Sequence, residues 1–111
     1  MTTNVEQGSI RISNKAIAKI ASMSILEVKE VTALVDGKMK RNDKSKCYKA
    51  VEVRIKESEI TIDFCPIVRL GTPLHQLSRT LQNNIKKAVE EMTGLIVLSV
   101  NITIVGLHYE D

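Results

Sequence analysis

Apolar and polar positions alternate along this chain with a period that changes from block to block, and the changes mark its elements. Gly8 opens an extended run, GSIRIS, with Ile10 and Ile12 on one face and Ser9 and Arg11 on the other. Ser13 follows as a helix N-cap, because its hydroxyl can accept from a free amide of the first turn. The helix predicted for NKAIAKIASMSIL presents Ala16, Ile17, Ile20, Ala21 and Ser24 as a narrow face suited to close packing on a sheet. A second strand, VTALV, ends at Asp36 and Gly37. In AVEVRIKESEITIDF, Val51, Val53 and Ile55 alternate with Glu52, Arg54 and Lys56. After a turn at Glu57 and Ser58, Ile60, Ile62 and Phe64 alternate with Thr61, Asp63 and Cys65, which predicts a hairpin with one apolar face. Pro66 ends regular pairing or marks an edge. Thr72 then caps a second helix with Pro73 at its first position. That helix runs to Met92 and closes at Gly94, with Leu74, Leu77, Leu81, Ile85, Ala88, Val89 and Met92 as its stripe.

Met92 to Tyr109 is an uncharged run of eighteen residues, long enough to be weighed as a membrane span. Its polar residues decide the matter. Ser99, Asn101 and Thr103 fall two apart, on one face of a strand, leaving Ile96, Leu98, Val100, Ile102 and Ile104 on the other. A helix would scatter the polar three around its axis. The run is therefore expected to be a core strand, each aliphatic side chain contributing about 1.5–3 kcal/mol on burial. The start of the chain lacks the charged and apolar regions of a signal peptide.

The pattern predicts an α+β fold: a five-stranded mixed sheet in β-α-β-β-β-α-β order with two helices packed on one face. Residues 1–7 read as a flexible N-terminus, 8–107 as one domain and 108–111 as a tail. At 111 residues the chain can close a core without disulfides or metal. Cys47 reads as an exposed loop thiol and Cys65 as a small packed side chain, in keeping with a reducing cytoplasm.

Charge changes the picture at one place. The formal net charge is +3, and DGKMKRNDKSKC, 36–47, holds Lys38, Lys40, Arg41, Lys44 and Lys46 against Asp36 and Asp43, leaving eleven charges of each sign elsewhere. Attraction to phosphate or to an anionic membrane surface would originate in this loop; otherwise its charges keep a hairpin connection soluble.

Candidate chemistry is sparse. His75 and His108 stand apart near the surface, Asp63 is a single carboxylate on the outer face of a strand, and no nucleophile-base pair is discernible. Neither spacing nor composition suggests a catalytic residue, a metal set or a bound cofactor. The polar sheet face carries no aromatic rings and there is no GxxG clamp, which counts against sequence-specific RNA binding.

GSIRISNKAIAKIA, the valine hairpin, RLG before the long helix, LQNNIKKAVEEMTGL and VNITIVG together resemble the alkaline shock protein family of Gram-positive bacteria, over about Gly8 to Gly106. The most specific piece is Gln82, then Met92-Thr93-Gly94-Leu95, then Val100-Asn101-Ile102. Departures occur at Glu30, at Ala50-Val51 and at Leu70. The resemblance implies a non-enzymatic cytoplasmic protein-interaction module in cell-envelope stress or homeostasis. It would act through a small membrane-anchored protein partner and through homo-oligomer formation. An alternative it carries is regulation of fatty-acid synthesis enzymes; a nonspecific nucleic-acid accessory role, through the basic loop, is a further one.

Overall fold

The computed structural model describes residues 2–5 and 8–109, with side chains from 11 to 109. Its order is β1 (Thr2–Val5), β2 (Gly8–Arg11), α1 (Asn14–Leu26), β3 (Val31–Asp36), β4 (Met39–Arg41), a 3-10 turn (Cys47–Ala50), β5 (Val51–Lys56), β6 (Glu59–Phe64), β7 (Pro66–Arg69), α2 (Leu74–Thr93), β8 (Ile96–Ile102) and β9 (Gly106–His108). The fold is α+β, as the periodicity indicates. The single five-stranded sheet is not what forms.

Two sheets take its place, β4-β3-β7-β9 and β5-β6-β8, with β1 and β2 paired as a separate hairpin. The reason lies at Cys65 and Pro66, where the chain passes from β6 to β7 and proline offers no amide to the ladder. Bonds still bridge the break: the Thr103 amide donates to the Phe64 carbonyl (3.1 Å), Val105 to Pro66 (3.1 Å) and Val35 to Cys65 (2.9 Å). Pro66 therefore opens a strand that lies between two neighbours. Both β8 and β9 run parallel to their partners, with α2 as the crossover. Part of the segment read as a flexible start carries β1; Met1, Glu6 and Gln7 lie outside the described residues, as does the side chain of Ile10.

Local signals account for most element ends. The Ser13 hydroxyl accepts from the Ala16 amide at 3.0 Å. Gly94 closes α2 at φ 71°, its amide donating to the Glu90 carbonyl at 2.9 Å, a left-handed geometry that glycine adopts without steric cost. Pro73, however, is extended (ψ 103°) and itself occupies the cap, so α2 starts one residue later and Thr72 does not cap it. The two-residue loop Glu57-Ser58 has positive φ at both positions (50° and 70°), the geometry of a twist-matched hairpin turn.

The core lies between the helices and one face of β5-β6-β8. Ile17, Ala21 and Ile25 of α1 and Leu81, Ile85 and Val89 of α2 meet Val53, Ile60, Ile62, Val97 and Val100. β8 differs from strict alternation. Val97 and Val100 are buried while Ile96 and Leu98 are 61 % and 63 % exposed, because the pairing with β6 slips between Ile60–Val97 and Thr61–Ser99. This β-bulge adds one residue at Leu98 and exchanges the faces of everything before it. Ile102 and Ile104 still pack against the core. Leu74 (41 %) and Met92 (72 %) are likewise exposed, and Thr93 completes the buried stripe instead, its hydroxyl donating to the Val89 carbonyl at 2.7 Å.

Candidate interaction surfaces

The basic segment is more ordered than a loop. The chain reverses at Gly37 and returns as β4, pairing Asp36 with Met39 and Leu34 with Arg41. Lys38, Lys40, Lys44 and Lys46 are exposed. Arg41 is different: its Nε donates to Asp36 Oδ2 at 3.1 Å and its side chain is mostly covered, so it acts as a structural ion pair. Asp43 anchors the following turn. Its carboxylate accepts from the Ser45 amide (2.9 Å) and hydroxyl (2.8 Å), and these bonds hold its carboxyl below the usual 3.8. Cys47, expected in solvent, is fully buried with Sγ 3.2 Å from the Arg41 carbonyl, and burial pushes its thiol up. Cys65 is the partly exposed cysteine.

The 3-10 turn brings in lysines from elsewhere. Tyr48 packs against the core, and the ammonium groups of Lys15 and Lys19 lie 5.4 Å and 5.0 Å from its ring centroid, within cation–π range. Lys49, exposed on the same turn, borders one cavity with Gly37 at the hairpin tip. Lys15 and Lys19 thus meet the 3-10 turn that directly follows the predicted cations in the chain. Lys15 and Lys19 were legible as an i, i+4 pair, but nothing local reveals that they converge on Tyr48 beside the hairpin.

A second surface lies between the helices. Ile20, Met23 and Ser24 of α1 face Asn84, Ala88 and Met92 of α2 across a groove of about 520 Å³. Met23 and Met92 are 64 % and 72 % exposed, and Lys19, Glu27, Lys87 and Glu91 stand at its rim. Methionine is the apolar side chain that adapts most readily to varied partners.

On the outer face of β5-β6-β8, Asp63 is not the isolated carboxylate its sequence setting suggests. It accepts from Arg54 Nη2 at 2.6 Å and from Asn101 Nδ2 at 3.0 Å, a polar clasp across three strands. The edge of β8 is also engaged. Glu90 Oε2 accepts from the Val97 amide (2.9 Å) and Gln82 Nε2 donates to the Val100 carbonyl (3.2 Å), so α2 occupies groups that an added strand would need. Gln82, notable in the sequence for its place in a motif, has this edge-closing role. His75 Nε2 lies 3.2 Å from Arg79, one turn along α2. Among the described residues no three His, Cys, Asp or Glu side chains gather as a metal site, and no helix is long and apolar enough to cross a membrane.

The model of the alkaline shock protein 23 family, described by a cell envelope-related function, matches residues 2–109. The chain belongs to this family. Two curated relatives come from Bacillus subtilis (strain 168), and both carry the description "uncharacterized protein". YqhY is 29 % identical over 107 residues, covering 93 % of this chain and 79 % of YqhY. YloU is 30 % identical over 107 residues, covering 91 % of this chain and 89 % of YloU. No solved structure matches significantly. The alkaline shock family match spans both helices and both sheets, so the groove and the basic face lie inside the shared domain.

Proposed function

We propose that this member of the alkaline shock family is a non-catalytic interaction module of the cytoplasm that serves the cell envelope by docking a helical segment of a membrane-anchored protein. The observation that carries the reading is the α1–α2 groove, which exposes Met23 and Met92, the two most exposed large apolar side chains of the helices. From Lys19 to Glu27 the groove follows α1 for about two turns, the length that an amphipathic partner helix fills with anchors three or four residues apart. A rim of two lysines and two glutamates favours a partner of mixed charge. Since α2 already engages β8 at Val97 and Val100, side-chain docking in the groove is a better route than strand addition there. Self-association through the same surface is the second use of the module, and the neutral rim does not oppose it.

Photo-crosslinking residues placed at Met23 and Met92 test this in cells. The reading expects one discrete adduct, recovered with the envelope and absent when the crosslinker stands at exposed Thr80. Identical patterns from all three positions would reject the groove as the docking site.

A further inference from the structure

Four exposed lysines of the basic segment, Lys38, Lys40, Lys44 and Lys46, stand against two acids within it, Asp36 and Asp43. Lys38 and Lys40 belong to the hairpin, Lys44 and Lys46 to the turn that follows it, and Lys15, Lys19 and Lys49 to α1 and the 3-10 turn, and all seven are exposed. Of the acids near this face, Asp36 is occupied by Arg41, Asp43 by the Ser45 amide and hydroxyl and Asp63 by Arg54, while exposed Glu52 borders the same cavity as Lys49. Like charges one helical turn apart repel, yet Lys15 and Lys19 both lie over Tyr48, and α1 has no acidic residue in its first turn to offset them. Glu27 and Glu30 lie at and beyond the opposite end of α1.

The geometry points to a composite binding face for an anionic lipid bilayer, formed by the N-terminal half of α1, the 3-10 turn and the β3–β4 hairpin. Three features favour a bilayer over a nucleic acid. The exposed cations are lysines, point charges suited to a diffuse headgroup layer, while the one arginine with a planar fork is committed to Asp36. Tyr48, the one ring at the face, is covered by two lysines and is not open for base stacking. Met39, 55 % exposed between Lys38 and Lys40, offers an apolar tip that can enter the interface while the ammonium groups remain among headgroups. A face of this kind turns the protein toward the membrane in which the proposed partner is anchored. The inference rests on the cell-envelope reading only for its choice of polyanion, and Lys38 and Lys40, which its test changes separately, are not among the residues that line the groove, whereas Lys19 borders it.

The test is vesicle co-sedimentation of the full chain at about 0.1 M salt, with about 30 % phosphatidylglycerol in phosphatidylcholine against phosphatidylcholine alone. Binding is expected to the anionic vesicles alone and to fall steeply as salt rises. Each lysine near the surface contributes about fivefold, so Lys15→Gln/Lys19→Gln and Lys38→Gln/Lys40→Gln should each weaken binding about 25-fold. Lys15→Arg/Lys19→Arg should bind like the parent, which separates charge from any effect on the packing of Tyr48. Three results would overturn the proposal: equal binding to both vesicles, parental binding by Lys15→Gln/Lys19→Gln, or displacement from anionic vesicles by an equal charge of DNA or RNA oligonucleotide. The last would assign the face to nucleic acid. All three leave the crosslinking result at the groove unaffected.

Discussion

The slip in β8 makes a quantitative prediction that opposes simple alternation. Val97 is 4 % exposed and Leu98 63 %. Val97→Ala removes two buried methyl groups, about 0.8 kcal/mol each in transfer, and leaves a small cavity, for a loss of about 2 kcal/mol. Leu98→Ala deletes the larger side chain but mostly from solvent, and should stay within about 0.5 kcal/mol of the parent. Were Leu98 inside, as an unbroken strand period demands, its truncation would cost about 2–5 kcal/mol and Val97→Ala almost nothing. Urea unfolding followed by far-UV circular dichroism separates the cases. With a slope of about 1–3 kcal/mol per molar, Val97→Ala should lower the midpoint by about 1 M at unchanged slope while Leu98→Ala barely moves it. A larger loss for Leu98→Ala than for Val97→Ala would refute the bulge and with it the assignment of faces along β8.

Other consequences follow from particular residues. Glu57 and Ser58 hold positive φ without being glycine or asparagine, so Glu57→Asn/Ser58→Gly should stabilise the fold by about 1 kcal/mol, read as a raised urea midpoint; an unchanged or lowered midpoint would contradict the turn geometry. Cys65 should react with a maleimide in the native protein while Cys47, buried and with its thiol pushed up, reacts only after unfolding, as peptide mapping by mass spectrometry would reveal. The depressed carboxyl of Asp43 contributes stability fully above its ordinary value of 3.8, and that contribution disappears as pH falls through the lower folded value. The Ser45 amide resonance should therefore titrate with a midpoint under 3.8, and one at or above that value would break the assignment.

What was legible in the sequence is what local chemistry decides. Ser13, the Glu57-Ser58 hairpin and Gly94 act within a few residues of themselves, and each ends its element as read. The strand nature of β8 was legible too, but its phase was not. Leu95, Ile96, Val97 and Leu98 are all apolar, so no polar residue marks the outer face until Ser99, and a period of two extrapolated backward from there misses the bulge. Cys47 looked exposed because lysines surround it in sequence, whereas the 3-10 turn folds it inward and leaves the lysines out. Pro66 signalled a break correctly in chemistry but not in consequence, since the chain continues at once into a strand that pairs on both sides. The hairpin cations were visible as a cluster, while Lys15, Lys19 and the Met23–Met92 groove depend on which elements fold against which.

In the proposed function, the groove between α1 and α2 ties this protein to the envelope. Fractionation of cells carrying Met23→Asp/Met92→Asp in place of the parent chain tests it most directly, after circular dichroism has verified that the variant folds. Both side chains lie on the surface, so the fold should tolerate the change while the apolar groove does not. The parent protein should be recovered with the envelope and the variant released from it; equal recovery of the two in the envelope fraction would rule the groove out.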